Sequence, residues 1–140
     1  TKLFSAVEIN KICDFYNHNK AIEHYNNGEV IIIAGGTGNP FFTTDTTAAL
    51  RSIELNSQIM IKATKVDAVY DKDPFKYNDA KKFEKLTYDI AISNQLNIMD
   101  ITAFTLCKEN KLPISVININ KPDELYKLIK GEKVGTIISN

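Results

Sequence analysis

The stretch "IIIAGGTGNPFFTTDT", residues 31–46, is where the reading of this chain is decided. It continues an unbroken apolar run that starts at Val30 and ends at Ala34, the pattern of a strand buried on both faces. Three glycines in four positions follow, then two phenylalanines, then threonines around Asp45. "DTTAALRSIEL" next places Ala49, Leu50 and Ile53 on one side of a helix beginning near Asp45. Strand, glycine loop and helix therefore succeed one another directly. In open α/β sheets, ligands sit where such a loop leaves the carboxyl end of a strand and enters a helix.

Working outward, the same alternation continues. Upstream, "VEINKICDFYNHNKAIEHYNNGEV" (7–30) reads as helix, with Ile9, Ile12, Tyr16, Ala21, Ile22 and Tyr25 at helical spacing and Gly28 as a stop. Downstream, "QIMIKA" (58–63) is a strand, and "TKVDAVYDKDPFKYNDAKKF" (64–83) is a long loop with room for a short hairpin. "TYDIAISNQL" (87–96) and "IMDITAFTLCKEN" (98–110) are helical. The second carries Met99, Ala103, Leu106 and Cys107 on one face and Ile101 and Phe104 on another, the pattern of a largely buried helix. "PISVINI" (113–119) is a strand, "DELYKLIKG" (123–131) a helix with Leu125, Leu128 and Ile129 inward, and "VGTIIS" (134–139) a last strand. Helices alternating with short apolar strands predict an α/β layered sandwich with a mainly parallel sheet. Without a repeat, low-complexity tract or linker, the chain reads as one domain or part of one.

Bulk composition narrows the function classes. Among 140 residues, Lys+Arg and Asp+Glu both total 17, a balance that argues against a sequence-independent nucleic-acid binder. No apolar run approaches the ~18 residues of a membrane span, and no signal-peptide pattern opens the chain. Cys13 and Cys107 lie far apart, without metal-like spacing, and read as two buried free thiols of a reducing, cytoplasmic compartment. The chain starts at Thr1 without a methionine, which fits a piece of something longer. His18 and His24 fall in a polar stretch and read as surface residues.

The loop itself admits two readings. Gly35, Gly36 and Gly38 let backbone N–H groups approach an anion, with the helix start behind them adding partial positive charge, but they also suit a tight strand-to-helix turn. It is not a Walker A loop, since no Gly-Lys-Ser/Thr follows, and Phe41 stands where the third glycine of G-x-G-x-x-G would be. Thr37, Asn39, Thr43 and Thr44 suit a phosphate or a base edge; Phe41 and Phe42 suit a ring or the core. Asp45 is a natural helix N-cap, worth about 1 kcal/mol. Beside a phosphate site it would repel the ligand unless cations stand nearby. "IKATKVDAVYDKDP" (61–74) supplies them: Lys62 and Lys65, with Thr64, Tyr70, Asp67, Asp71 and Asp73, follow a strand end on the same rim if the two strands run parallel. A solvated charged loop is the plainer account of that stretch.

Taken together, "AGGTGNPFFTTDT", "IKATKVDAVYDKDP", "LTYD", "MDITAFTLC", "LPISVIN" and "GEKVGT", in this order and spacing, resemble the bacterial-type UMP kinases (uridylate kinases) of the amino-acid kinase superfamily. The resemblance implies a three-layer α/β/α sandwich that transfers the γ-phosphoryl of ATP to UMP with Mg²⁺, in pyrimidine nucleotide biosynthesis. It implies UMP contacts along Thr37, Gly38, Asn39, Pro40, Phe41, Phe42, Thr43 and Thr44. ATP contacts fall on Thr64, Tyr70 and Asp73, and Asp45 becomes the aspartate that holds catalytic lysines in place. No residue is assigned as a metal ligand, and assembly into hexamers is implied.

Only the C-terminal part of the family is matched. The opening strand with its phosphate-binding lysine, a later Gly-Gly pair with its arginine, and a UMP-contacting aspartate have no counterpart, so little or no activity is expected of the 140 residues alone. Ala68 stands where relatives usually carry glycine, which would cost about 1 kcal/mol if φ there were positive. Two alternatives stay open: a non-catalytic nucleotide-binding or assembly fragment, and a kinase acting on a carboxylate or carbamate. The Pro-Phe-Phe after GTGN counts against the latter.

Overall fold

Short aliphatic runs between turn residues form several of the strands of the computed structural model, which describes residues 1–9 and 11–140. In chain order the elements are β1 (Lys2–Ser5), β2 (Asp14–Phe15), α1 (His18–Asn26), β3 (Ile31–Ala34), α2 (Thr44–Glu54), β4 (Met60–Thr64), β5 (Val69–Tyr70), β6 (Lys82–Phe83), β7 (Lys85–Thr87), α3 (Tyr88–Ser93), α4 (Ile101–Glu109), β8 (Ile114–Asn118), α5 (Pro122–Ile129) and β9 (Thr136–Ser139). The architecture is the expected three-layer α/β/α sandwich, rich in parallel pairs. One sheet has the order β2-β1-β3, entirely parallel. A second runs β4-β8-β9-β7, with β9 antiparallel to β8 and parallel to β7. β5 and β6 form a separate antiparallel hairpin.

The core lies between the second sheet and helices α2, α3 and α4. Ala49 of α2 and Ala103 of α4 are fully buried, and the two helices pack on each other. Tyr88, Phe104, Cys107, Ile114, Val116 and Ile138 fill the space beneath them. The Tyr88 and Phe104 rings meet edge to face at 5.0 Å, and the Tyr88 hydroxyl donates to the Leu112 carbonyl. Burial pushes the Cys107 thiol up to about 11, so it is an inert packing group.

β3 and β4 each pair on one edge only among the described residues. The Lys2 N–H donates to the Val30 carbonyl and the Ala6 N–H to the Ala34 carbonyl, so by alternation Ile31 and Ile33 direct their backbone groups away from β1. Met60 and Thr64 likewise bond toward β8, leaving Ile61 and Ala63 on the open edge of β4.

Several expectations need correction. The helix read over 7–30 exists only from His18, capped by Asn17, whose side chain accepts from the Lys20 N–H. Before it comes β2, parallel to β1. The helical spacing of Ile9 and Ile12 is fortuitous, because both are exposed. β1 was not foreseen. β3 is not buried on both faces: Ile31 and Ile33 are half-buried and Ile32 is half-exposed, as an edge strand allows. Ile101 points outward, and Cys13 is only partly buried. No residue of α5 is buried, and Leu125 and Ile129 are exposed. That helix is fixed instead through Glu124, which accepts from the Asn118 N–H at 2.8 Å. His18 is exposed as expected, whereas His24 is partly buried against Glu29 and the edge of Phe4.

Candidate functional site

The glycine loop leaves β3 and folds back over the residues that follow β1. Gly35, Gly36 and Gly38 have φ of +78°, +65° and +79°. A Cβ on Gly38 would stand 2.5 Å from the Ala6 carbonyl oxygen, so the loop approaches that backbone as closely as only glycine permits. Thr37 braces the turn: its hydroxyl donates to the Asn39 carbonyl at 3.2 Å and accepts from the Asn39 N–H at 3.1 Å. Phe41, with φ of +70°, is wholly exposed, and Phe42 and Pro40 are exposed too. Neither phenylalanine packs in the core, which removes that reading of them.

Thr43 ends the loop as the N-cap of α2, accepting from the Thr46 N–H at 3.1 Å. Sequence reading gave the cap to Asp45, but Asp45 sits within the first turn, and its carboxylate is paired with Lys62 of β4. Thr44 is exposed beside it. The Thr43 and Thr46 hydroxyls donate to Asp100, which also caps α4 by accepting from the Ala103 N–H at 3.0 Å. Burial would raise the Asp100 carboxyl, but these hydrogen bonds outweigh it and hold it below its usual range.

Beyond the end of β4 the chain turns into the β5–β6 hairpin and encloses a cleft of about 460 Å³, within the range of small-ligand sites. Lys62, Thr64, Ala68, Tyr70 and Asp73 line it together with residues 94–98, which follow α3. All three residues expected to meet ATP therefore share one cleft, with Lys62 joining it to Asp45. Asp73 is exposed and accepts from the Phe75 N–H at 2.9 Å, so it also shapes its own turn. Ala68 is buried and its φ is not positive, so the strain anticipated there does not arise. Thr47, Arg51, Ile31 and Ile33 of β3 and Ile61 of β4 line a second, more open cleft of about 540 Å³ beside the loop. Among the described residues no group of three or more His, Cys, Asp and Glu could hold a metal ion, and no helix is long and apolar enough to cross a membrane.

Residues 94–98 and Asp100 were not foreseen. The first are marked in sequence only by the polar run "SNQLN" closing a helix; Asp100 is marked as an N-cap before "ITAF", with nothing to reveal its partners more than fifty residues upstream.

The molecule is thus a layered α/β protein whose polar side chains gather where β3 and β4 end. The profile of the Amino acid kinase family matches residues 4–118, and the chain belongs to that family. It is 52% identical over 128 residues to the uridylate kinase of Wolinella succinogenes, covering 91% of this chain and 53% of that one. Against the uridylate kinase of Psychrobacter it is 48% identical over 136 residues, covering 97% and 56%. Solved structures agree. The UMP kinase of Bacillus anthracis superposes with a TM-score of 0.95 at 33% identity, covering 99% of this chain and 57% of that one. The UMP kinase of Ureaplasma parvum gives 0.94 at 35% identity, covering 100% and 60%. The chain spans about half the length of the curated relatives it matches.

Proposed function

We propose that the chain is the C-terminal, nucleotide-binding portion of a UMP kinase, a cytoplasmic phosphotransferase of pyrimidine nucleotide biosynthesis that moves the γ-phosphoryl of ATP to UMP. The observation that carries this reading is the Asp45–Lys62 pair, which joins the start of α2 behind the glycine loop to the cleft beyond β4. UMP lies along Thr37 to Thr44, its phosphate near the glycine backbone and its ring near the exposed Phe41 and Phe42. ATP lies in the cleft with Thr64, Tyr70 and Asp73. Phosphoryl transfer asks the protein mainly for positioning and charge stabilisation. Asp45, held by Lys62, is then an organiser that keeps a cation beside the moving group; it does not abstract a proton. Mg²⁺ would supply charge neutralisation at the phosphates when bound; among the described residues no group of three or more His, Cys, Asp and Glu would hold it by itself.

Calorimetric titration tests the reading. Saturable binding of UMP in preference to CMP, and of Mg²⁺-ATP independently, is expected. Indifference between UMP and CMP would sink the UMP assignment, and preference for an acyl acceptor such as acetylglutamate would favour a carboxylate kinase. A non-catalytic fragment is the second reading, motivated by the half-length match to the relatives. Full turnover by these residues alone refutes it, and sedimentation velocity tests assembly into hexamers.

A further inference from the structure

We propose that Asp67 positions Tyr70 in the wall of the cleft beyond β4, as a charged anchor on which three separate segments converge. Asp67 lies in the turn between β4 and β5 and does not itself line the cleft. Its Oδ1 accepts from the Tyr70 hydroxyl at 2.7 Å. Its Oδ2 stands 3.7 Å from Nζ of Lys82 on β6 and 3.5 Å from Nζ of Lys121, the residue before α5. Lys121 is also 3.4 Å from Glu124, which holds the Asn118 N–H at the end of β8. A continuous line of contacts therefore runs from the second sheet, through Lys121 and Asp67, to the phenol that faces the cleft.

The hairpin needs such an anchor. Among the described residues two ladder pairs, Val69 with Phe83 and Tyr70 with Lys82, and a bond from the Asp71 N–H to the Lys81 carbonyl at 3.1 Å hold β5 to β6, and a ribbon that small is marginal by itself. Its backbone is pinned at Val69, whose N–H donates to the buried Thr136 hydroxyl at 2.8 Å. The Val69 side chain is buried in the core, and side chains alternate along a strand, so the Tyr70 ring takes the opposite face. Asp67 fixes it. Burial opposes ionisation of Asp67, but the Tyr70 hydrogen bond and then Lys82 and Lys121 outweigh burial and hold the carboxyl below its usual range. The hydrogen bond to Asp67, with burial second, raises the phenol. The pair is thus a neutral phenol donating to a carboxylate, a charge-assisted bond that fixes direction as well as distance.

The consequence for nucleotide binding rests on the reading of this cleft as the ATP site; the anchor itself does not. Asp67→Ala and Tyr70→Phe, singly and together, are compared for Mg²⁺-ATP and UMP affinity by calorimetry. Each single change is expected to weaken Mg²⁺-ATP about tenfold, as loss of a hydrogen bond to a charged group does, and to leave UMP unchanged. The double variant should be no worse than the weaker single one, because both remove one interaction. Without nucleotide, the Tyr70 ring resonances of tyrosine-labelled protein should titrate at lower pH in Asp67→Ala than in the parent. Should Asp67→Ala fail to fold, Asp67→Asn, which keeps the shape and loses the charge, carries both measurements. Additive losses of Mg²⁺-ATP affinity, or a Tyr70 titration that Asp67 variants leave unmoved, overturn the anchor. If the parent does not bind Mg²⁺-ATP at all, the proposed function fails, and the titration still decides the role of Asp67.

Discussion

Replacing Gly38 by alanine tests how the glycine loop is held, and Gly36 provides the control. Both residues have positive φ, so both alanines meet the left-handed cost of about 1–2 kcal/mol. They differ in what the new methyl touches. At Gly36 the nearest atom is the Thr47 hydroxyl oxygen at 3.6 Å, an ordinary contact. At Gly38 it is the Ala6 carbonyl oxygen at 2.5 Å, a backbone atom that cannot swing away. Relieving that overlap costs about a further 1–3 kcal/mol, as overpacking does elsewhere. Gly36→Ala should therefore lose about 1–2 kcal/mol and Gly38→Ala about 2–5 kcal/mol. Urea unfolding followed by far-ultraviolet circular dichroism, extrapolated linearly to water, measures both. Because the Gly38 overlap lifts the loop from the end of β1, UMP affinity should fall in Gly38→Ala more than in Gly36→Ala. Equal destabilisation by the two alanines would refute the reasoning, since it would mean that the loop does not rest on Ala6.

Further outcomes follow from buried polar groups. Thr136→Val removes an oxygen that accepts from the Val69 N–H and donates to the Phe83 carbonyl, so stability should drop by about 1–3 kcal/mol, with faster amide exchange at Val69. Asp100→Ala removes the cap of α4 and the acceptor of Thr46, and should cost about 1–2 kcal/mol in the same unfolding assay, with Asp100→Asn costing less. Glu54 shares its carboxylate with Tyr16 and Arg51; burial opposes its ionisation, but the Arg51 and Tyr16 hydrogen bonds prevail and lower its pKa. With Asp67 and Asp100 also lowered, the unfolded chain binds protons more readily than the folded one. Stability should hold above about pH 4.5 and fall as pH drops through 4.5 and 3.8 toward the folded values. A flat stability profile from pH 6 to pH 3 would contradict this.

Much of the fold was legible because the informative residues are neighbours. The run into Ala34, the three glycines and the apolar face of α2 announce strand, loop and helix within twenty-five residues, and the structure keeps all three in place. The two constellations around Asp45 and Tyr70 were also legible, since strand ends in such folds share a rim. What was missed depends on pairing across long separations. "KLFS" is too short to announce a strand until Ile31–Ala34 aligns beside it. Ile9, Ile12 and Tyr16 mimic a helix because any short series of apolar residues matches the period by chance. The Asp100 bonds to Thr43 and Thr46 and the Asp67 contact with Lys121 join segments more than fifty residues apart, a separation that a single sequence does not encode visibly. The exposure of α5 was missed for the opposite reason: its period is real, but nothing among the described residues covers it.

The open edges of β3 and β4 bear on how this polypeptide behaves at high concentration. Among the described residues, each offers a row of backbone N–H and C=O groups without a strand partner, flanked by isoleucine, with no proline within it, and β3 carries no charged side chain. Such a row is a template for another extended chain, and natural proteins usually guard it. The temperature at which the core melts is then a poor guide to handling. Shelf life in solution depends on what pairs first with those two edges.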